Sequence, residues 1–233
     1  MNITIAPEVF AKFPAYRRGL VIAHGIQNGP SPDDLIASLR EAEAALCTQL
    51  TPENIATHPK IEAWREAYRA LGVKPTEFRP SMEALVRRVV KKDPLPAISK
   101  IVDLGTLISI RHLVPIGAHA IDQLTADMDL RAAIGAEIFE PFGAETVEHP
   151  NPGEIIFAEG QTVLTRRWTW RQSKQTLILP ETSAVEFNVD ALPPVTEAEM
   201  GQIFGEIGEL LAKYCGGEIR YGVLSRERPS LEL

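Results

Sequence analysis

The most informative stretch of this chain is Phe78-Arg-Pro-Ser-Met-Glu-Ala-Leu-Val-Arg-Arg-Val-Val-Lys-Lys92. Residues 75–81 are expected to be extended, because a residue before proline avoids the helical region, and Ser81 can then cap a helix. The following residues combine an apolar stripe at helical spacing with a positively charged surface. The stripe consists of Met82, Leu85, Val86, Val89 and Val90, and the surface of Arg87, Arg88, Lys91 and Lys92. We therefore predict an amphipathic helix with positive charge concentrated over two turns.

The chain before this helix is predicted to start with strands and to continue with helices. The segment Leu20-Val-Ile-Ala23 is typical of a buried strand, and it leads to the turn residues Asn28-Gly-Pro30. Ser31 and Thr51 are each followed by proline, as when an N-cap precedes proline in the first helical position. We therefore expect one helix that begins after Ser31 and a second that begins after Thr51. The second helix runs to position 71 and is ended by Gly72.

The remainder of the chain is predicted to contain a helix, then strands, then a final helix and strand. The first helix covers residues 101–113, and the strands cover 154–158, 163–171 and 184–189. The capping box Thr196-Glu-Ala-Glu199 opens the last helix, Gly216-Gly217 closes it, and residues 219–224 form a short strand. Helices and strands come in runs without regular alternation, which predicts an α+β fold. We expect residues 1–233 to form one unit, with parts at 1–74, 75–190 and 191–233.

Charge is unevenly distributed along the 233 residues, of which 45% are hydrophobic and 24% charged. The net charge of −7 excludes indiscriminate binding to a phosphate backbone. Residues 74–111 and 165–175 nevertheless carry +4 each, and we call them the two basic segments. The sequence allows two interpretations of these segments: a local contact with RNA, or two solvated faces.

The sequence lacks signals for export, membrane insertion and metal binding. Its N-terminus has no basic flank with an apolar run, and no apolar stretch approaches the roughly 20 residues that span a bilayer. We therefore expect a cytoplasmic protein that does not associate with membranes. Cys47 and Cys215 have no ligand-like spacing, so no metal or cofactor is expected. The sequence motifs of serine hydrolases (G-x-S-x-G), zinc proteases (H-E-x-x-H) and P-loop NTPases do not occur. DNA is not an expected partner.

Six motifs occur in an order that resembles a known family. They are Phe78-Arg-Pro-Ser-Met-Glu-Ala-Leu-Val-Arg-Arg88, Val102-Asp-Leu104, His119-Ala-Ile-Asp122, Leu130-Arg131, Gly135-Ala-Glu137 and Trp168-Thr-Trp-Arg-Gln172. Residues 80–190 resemble the B3/B4 editing domain of the phenylalanyl-tRNA synthetase beta subunit, and nearly the whole chain resembles stand-alone proteins made of that domain. The resemblance implies mixed or antiparallel sheets with flanking helices and a helix-rich N-terminal part. It also implies hydrolysis of the ester that joins a wrongly chosen amino acid to tRNA.

The resemblance further implies which residues form the site. His119 stands where the family has a pocket histidine, in His-Ala-Ile-Asp instead of His-Ala-Phe-Asp. The family's Asp-x-Thr-Asn reads Asp-Leu-Gly-Thr, so Gly105 replaces the threonine and a hydroxyl follows at Thr106. The family's substrate-reading glutamate corresponds by spacing to Asn188 and by residue type to Glu186, two residues apart on one strand face. We therefore assign His119 and Thr106 to catalysis, and Glu186, Asn188 and Gly105 to substrate binding.

The basic segments supply the candidates for contact with tRNA, which are Arg79, Arg87, Arg88, Arg167 and Arg171. For each arginine, a phosphate contact competes with a salt bridge inside the domain. On the predicted strand 163–171, Trp168 and Trp170 share one face while the arginines take the other. Core packing is favoured over base stacking for both tryptophans.

Two functions follow from the sequence. The first is a trans-editing hydrolase that deacylates mischarged aminoacyl-tRNA in a B3/B4-like pocket. A pocket that orients one water and stabilises the oxyanion is sufficient for an activated ester. His119 would orient a group or handle a proton, because imidazole titrates near neutral pH, although a purely structural histidine is the alternative. The second function is a non-catalytic module that binds tRNA or a small molecule, which the glycine at position 105 favours.

Overall fold

The α+β fold expected from the sequence is confirmed. The computed structural model describes residues 1–144 and 146–233, and over these residues it contains ten β-strands and six α-helices. Three of the helices lie within residues 1–74, so the N-terminal part is rich in helix. Within the described ranges, no helix is long and apolar enough to cross a membrane.

The elements are numbered in chain order. The strands are β1 Asn2–Ile5, β2 Arg17–His24, β3 Ile116–Ala120, β4 Met128–Ala132, β5 Ile155–Glu159, β6 Thr162–Arg166, β7 Arg171–Gln172, β8 Ala184–Ala191, β9 Glu218–Leu224 and β10 Ser230–Glu232. The helices are α1 Pro7–Lys12, α2 Asp33–Gln49, α3 Pro59–Ala70, α4 Ser81–Val90, α5 Lys100–His112 and α6 Glu197–Tyr214.

The strands form two sheets. The larger sheet has the order β10-β1-β4-β5-β6-β7, in which β1 and β4 are parallel and the other neighbours are antiparallel. The smaller sheet has the order β3-β8-β2-β9 and is antiparallel throughout. Its inner pair, β2 and β8, is hydrogen-bonded over eight residues of each strand.

The central strand β8 is buried on both of its faces. Val185, Phe187 and Val189 pack with apolar residues of α5 and α6 in one hydrophobic cluster. Successive residues of a strand point to opposite faces, so Glu186, Asn188 and Asp190 all point away from those helices. Three polar side chains are therefore buried together on the second face of the sheet, which faces β5 and β6.

Several predicted elements are confirmed. The strand predicted at residues 20–23 lies within β2, and the helix predicted at 101–113 is α5. The final helix α6 begins after Thr196, whose hydroxyl accepts a hydrogen bond from the Glu199 amide at 3.2 Å. In a capping box the Glu199 side chain would in turn accept a hydrogen bond from the Thr196 amide. Here the Glu199 carboxylate forms an ion pair with Lys60 instead.

The predictions for residues 51–71 and 75–81 were wrong in part. The second helix starts at Pro59, because Asn54 caps a turn at Thr51 and a short 3₁₀ helix precedes that proline. Residues 75–77 form a turn in which the amides of Glu77 and Phe78 bond to the Lys74 carbonyl. Helix α4 then starts at Ser81 without a side-chain cap.

The strand predicted at residues 163–171 is interrupted. β6 ends at Arg166, residues 167–170 form a turn, and β7 covers only Arg171–Gln172. Arg167 and Trp168 have φ angles of 46° and 64°, in the left-handed region that non-glycine residues rarely adopt. The turn inserts the Trp168 indole into the core, where it packs edge-on against Trp64 at 5.0 Å and Tyr16 at 4.8 Å. Core packing is thus confirmed for Trp168, while Trp170 is half-buried against Phe78.

Candidate functional site

A buried polar cluster lies on the face of the four-stranded sheet that faces β5 and β6. Strand β8 contributes Glu186, Asn188 and Asp190, while β2 contributes Arg18 and β3 contributes His119. The strand register brings them together, since Arg18 is opposite Asp190 and His119 is opposite Glu186. All five side chains are at most 4% exposed. Such a concentration of buried polar groups is costly and is typical of functional sites.

Asp190 fixes the orientation of its neighbours. Its Oδ1 atom accepts hydrogen bonds from the Tyr16 hydroxyl and from Arg18 Nε at 3.0 Å. Its Oδ2 atom accepts one from Asn188 Nδ2 at 2.6 Å. A carboxylate only accepts, so the amide nitrogen of Asn188 must face Asp190 and its oxygen must face away. That oxygen, Oδ1, has no hydrogen-bond partner among the described residues.

Gly117 on β3 is opposite Asn188, and the two residues approach each other closely. A Cβ atom at position 117 would lie 2.4 Å from Asn188 Oδ1, well inside van der Waals contact. Only glycine therefore fits beside the Asn188 amide in its present orientation.

Glu186 and His119 have strongly perturbed pKa values. Burial raises the pKa of Glu186 to about 8, which the nearby Arg18 charge opposes and Asp190 reinforces. Burial, followed by the positive charge of Arg18, lowers the pKa of His119 to about 3. At neutral pH both groups are therefore uncharged: the carboxyl holds its proton and the imidazole does not. Neither carboxyl oxygen of Glu186 has a hydrogen-bond partner within residues 1–144 and 146–233.

Hydroxyl groups hold the His119 ring in place. Its Nδ1 atom is 2.7 Å from the Thr176 hydroxyl and its Nε2 atom is 3.3 Å from the Thr165 hydroxyl. The ring also packs edge-on against Phe157, with the centroids 5.3 Å apart. A neutral imidazole donates from one nitrogen and accepts at the other, so both contacts can be satisfied without a charge on the ring.

Two adjoining cavities lie next to the cluster. The polar cavity has a volume of about 80 Å³, and its walls include His119, Asn188, Asp190, Thr165 and Arg171. The apolar cavity has a volume of about 420 Å³, and its walls include Gly105, Thr106, Val102, Phe142 and Leu179. Ile116, Gly117 and Gln172 belong to the walls of both cavities, which therefore adjoin at these residues.

The five residues assigned from the sequence to catalysis and substrate binding fall into three places. His119 and Asn188 line the polar cavity, and Gly105 and Thr106 line the apolar cavity. Glu186 lines neither cavity: it is fully buried on β8, between His119 of β3 and Ile22 of β2. Of the two candidates for the substrate-reading position, Asn188 is the one that reaches a cavity wall.

Two aspartates of the recognised motifs hold the backbone around the site. Asp103 accepts hydrogen bonds from the Ile98 amide at 2.9 Å and from the Ser31 hydroxyl at 2.6 Å. Asp122 accepts hydrogen bonds from the amide and the hydroxyl of Ser183, just before β8. These two carboxylates therefore position α5 and β8, and neither lines the two cavities.

The two basic segments meet in space. The Ser81 amide donates to the Thr169 carbonyl at 2.9 Å, and the Phe78 and Trp170 rings lie edge to face at 5.0 Å. The Arg167 guanidinium stacks on Phe78, 3.7 Å from the ring centroid. Ser81, Thr169 and Trp170 also line the polar cavity, so both basic segments contribute to its wall.

Four of the five arginines predicted to contact tRNA have acidic neighbours. The pairs are Arg87–Glu83 at 2.7 Å, Arg88–Asp93 at 2.9 Å, Arg167–Glu154 at 3.7 Å and Arg171–Glu148 at 3.7 Å. Arg79 is exposed and makes no ion pair with any residue that the structure describes. Salt bridges inside the domain, the alternative to phosphate contacts, are thus present for four of the five arginines. In two of them, those of Arg167 and Arg171, the charged atoms are 3.7 Å apart.

The sequence interpretation missed Tyr16, Arg18 and Asp190, which support the site. Strand β8 contained a usable signal, because Glu186, Asn188 and Asp190 occupy every second position of an otherwise apolar strand. Tyr16 and Arg18 gave none, since they lie 174 and 172 residues from their partner. No group of three or more potential metal ligands occurs in the part of the chain that the structure describes.

Comparison with known proteins gives one family and a set of similar solved structures. The family model described as the B3/4 domain matches residues 63–206. No curated protein matches this chain. Among solved structures, an N-terminal fragment of the phenylalanyl-tRNA synthetase beta-subunit from Pyrococcus horikoshii is similar, with 12% sequence identity and a TM-score of 0.46. The similarity covers 94% of this chain and 50% of that fragment, so this chain spans about half of the fragment's length.

Proposed function

The chain belongs to the B3/4 domain family, and from that premise we propose that it is a hydrolase that removes mischarged amino acids from tRNA in trans. The observation that carries the proposal is the position of the polar cavity. Its walls hold His119 and Asn188, together with Ser81 and Thr169, through which the two basic segments contact each other. An RNA whose phosphates contact these segments would bring its 3′ end to the cavity.

The proposed chemistry is hydrolysis by orientation. An activated ester needs a positioned water and hydrogen bonds to the developing oxyanion, both within the capacity of a small polar cavity. A base with a pKa of about 3 accepts a proton only weakly at neutral pH, so His119 is assigned an orienting role through its hydrogen bonds. Asn188 binds the substrate, and Thr106 and Gly105 contact it from the apolar cavity.

The arginines are proposed to guide the tRNA with unequal strength. Arg79 is exposed and has no ionic partner among the described residues, and the acidic partners of Arg167 and Arg171 are 3.7 Å away. Arg87 is held at 2.7 Å by a buried glutamate and contributes less. The net charge of −7 limits binding to this local surface and makes it sensitive to salt.

The test is deacylation of a panel of correctly and incorrectly charged tRNAs by the purified protein. We expect release of amino acid from some mischarged tRNAs and a loss of at least 10-fold in the His119→Ala variant. His24→Ala is the matched control, because His24 is an exposed histidine at the end of β2. Since His119 is fully buried, circular dichroism and a His119→Asn variant separate loss of chemistry from loss of folding.

The second candidate function is a non-catalytic module that binds tRNA or a small molecule. The burial of Glu186 away from both cavities favours a loss of catalysis, and the ion pairs of four arginines favour a small molecule over tRNA as the ligand. Salt-sensitive tRNA binding without release of any amino acid across the panel would select this function. Turnover that a pocket substitution abolishes would reject it.

A further inference from the structure

The apolar cavity differs from the polar one in the chemistry of its walls. Of the fourteen described residues in its walls, nine have apolar side chains other than glycine, and none of the fourteen carries a charge. The Ser109 hydroxyl already donates to the Val114 carbonyl at 2.7 Å, and the Gln172 amide donates to the carbonyls of Ala118 and Thr176. A charged group that entered this cavity would lose its hydration without gaining an ionic partner from these wall residues.

Large apolar side chains remain exposed at the same place. Ile98, Phe142 and Leu179 line the cavity and are 61%, 65% and 47% exposed. Adjacent exposed apolar side chains around a concave surface are typical of a ligand site. The volume of about 420 Å³ also lies within the range of about 300 to 1,000 Å³ that small-molecule sites occupy.

A hydrogen-bond acceptor without a partner lies on the polar side of the shared wall. Asn188 is 4% exposed, Asp190 holds its amide nitrogen, and its Oδ1 atom has no partner among the described residues. A Cβ atom at position 117 would lie 2.4 Å from this oxygen, and Gly117 belongs to the walls of both cavities, so the oxygen lies next to their junction. A ligand with an N–H donor close to an apolar group would satisfy both features at once.

Resting on the proposed function, we propose that the site selects aminoacyl groups with an uncharged, apolar side chain and a free α-ammonium group. The side chain occupies the apolar cavity, the ammonium group donates to Asn188 Oδ1, and the ester lies beside Gly117. Lysyl and aspartyl groups are rejected by the cost of burying their charge. A tyrosyl group is weakened only modestly, because an apolar pocket discriminates against an added hydroxyl by at most about 100-fold.

The inference is tested first by binding, without catalysis. Ligand-observed NMR titration uses the amides of phenylalanine, leucine, tyrosine, lysine and aspartate, together with N-acetylphenylalanine amide. We expect the phenylalanine and leucine amides to bind at least 10-fold more tightly than the lysine and aspartate amides. Acetylation replaces the charged ammonium group and its three N–H donors by one neutral, bulkier amide N–H, so it should weaken binding at least 10-fold. No detectable binding of the apolar amides at about 10 mM, or equal binding of the charged ones, would overturn the inference.

A variant locates the binding. Val102→Phe places an aromatic ring in the apolar cavity and should abolish binding of the apolar amides. Val147→Phe is the matched control, because Val147 is 50% exposed and lines neither cavity. Binding that persists unchanged in a folded Val102→Phe protein would also overturn the inference.

Deacylation of charged tRNAs separates this inference from the proposed function. If apolar amides bind as expected but no aminoacyl-tRNA is deacylated, the hydrolase proposal fails and the ligand class stands. If lysyl- or aspartyl-tRNA is deacylated in preference to tRNA that carries an apolar amino acid, the hydrolase proposal stands and the ligand class is wrong.

Discussion

Replacement of the buried Glu186 by glutamine should remove a large pH dependence of stability. Glu186 is fully buried, and its pKa rises from 4.5 to about 8. The pKa of this carboxyl is higher in the folded protein than in the unfolded chain. Below about pH 4.5 the carboxyl is protonated in both states and does not lower the free energy of unfolding. Stability is then lost as the pH rises, until the folded protein also releases its proton at about pH 8.

The magnitude follows from the two pKa values. At about 1.4 kcal/mol per tenfold change in the protonation equilibrium, the full penalty is about 5 kcal/mol above pH 8. It is about 3 kcal/mol at pH 7 and below about 1 kcal/mol at pH 5. Relative to the wild type, Glu186→Gln should therefore gain about 4 kcal/mol in unfolding free energy between pH 5 and pH 9.

Urea denaturation at pH 5, 6, 7, 8 and 9 measures this difference. The glutamine amide is buried without a partner, which adds a constant cost, so only the change with pH is diagnostic. Glu181→Gln is the control, because Glu181 is exposed and lies shortly before the same strand. A difference between wild type and Glu186→Gln that stays constant from pH 5 to pH 9 would refute the reasoning.

Three further predictions concern the site, the basic surface and the last helix. Gly117→Ala places a Cβ atom 2.4 Å from Asn188 Oδ1, so we expect a loss of about 1 to 3 kcal/mol in thermal unfolding and slower deacylation. Arg79→Ala removes an exposed guanidinium, and the slope of log affinity for tRNA against log salt should become shallower by about 1. Gly205→Ala meets open space within α6 and should stabilise the protein by about 0.5 to 1 kcal/mol in urea denaturation. Gly208→Ala should gain less, because its Cβ atom would displace the Tyr221 ring.

Local sequence patterns predicted the elements that position the site. The apolar residues at 20–23 identified β2, and the run at 184–189 identified β8. The motif around position 119 led to a histidine that lines the polar cavity, and the strand period placed Glu186 and Asn188 on one face. The resemblance left Glu186 and Asn188 both open as the substrate-reading residue, and of the two only Asn188, the candidate indicated by the family's spacing, lines a described cavity.

Contacts between distant parts of the chain could not be predicted from local patterns. Asp190 holds Arg18 and Tyr16 across more than 170 residues, and no periodicity reports such a pair. Burial of the Trp168 indole bends residues 167–170 into a left-handed turn, which overrides the alternation that suggested one long strand. The cost of the two positive φ angles is offset by aromatic packing that a single sequence does not reveal.

The position of β2 between β8 and β9 has a consequence for synthesis on the ribosome. Strand β2 emerges within the first 24 residues, but both of its neighbours come from residues 184–224. Its two edges therefore stay unpaired until most of the chain has been translated, and such non-local pairing makes folding slow. A polypeptide that stalls before residue 184 carries the apolar segment Leu20-Val-Ile-Ala23 with both edges open to aggregation. Only chains that extend beyond residue 190 acquire the polar cluster that joins Arg18 to Asp190.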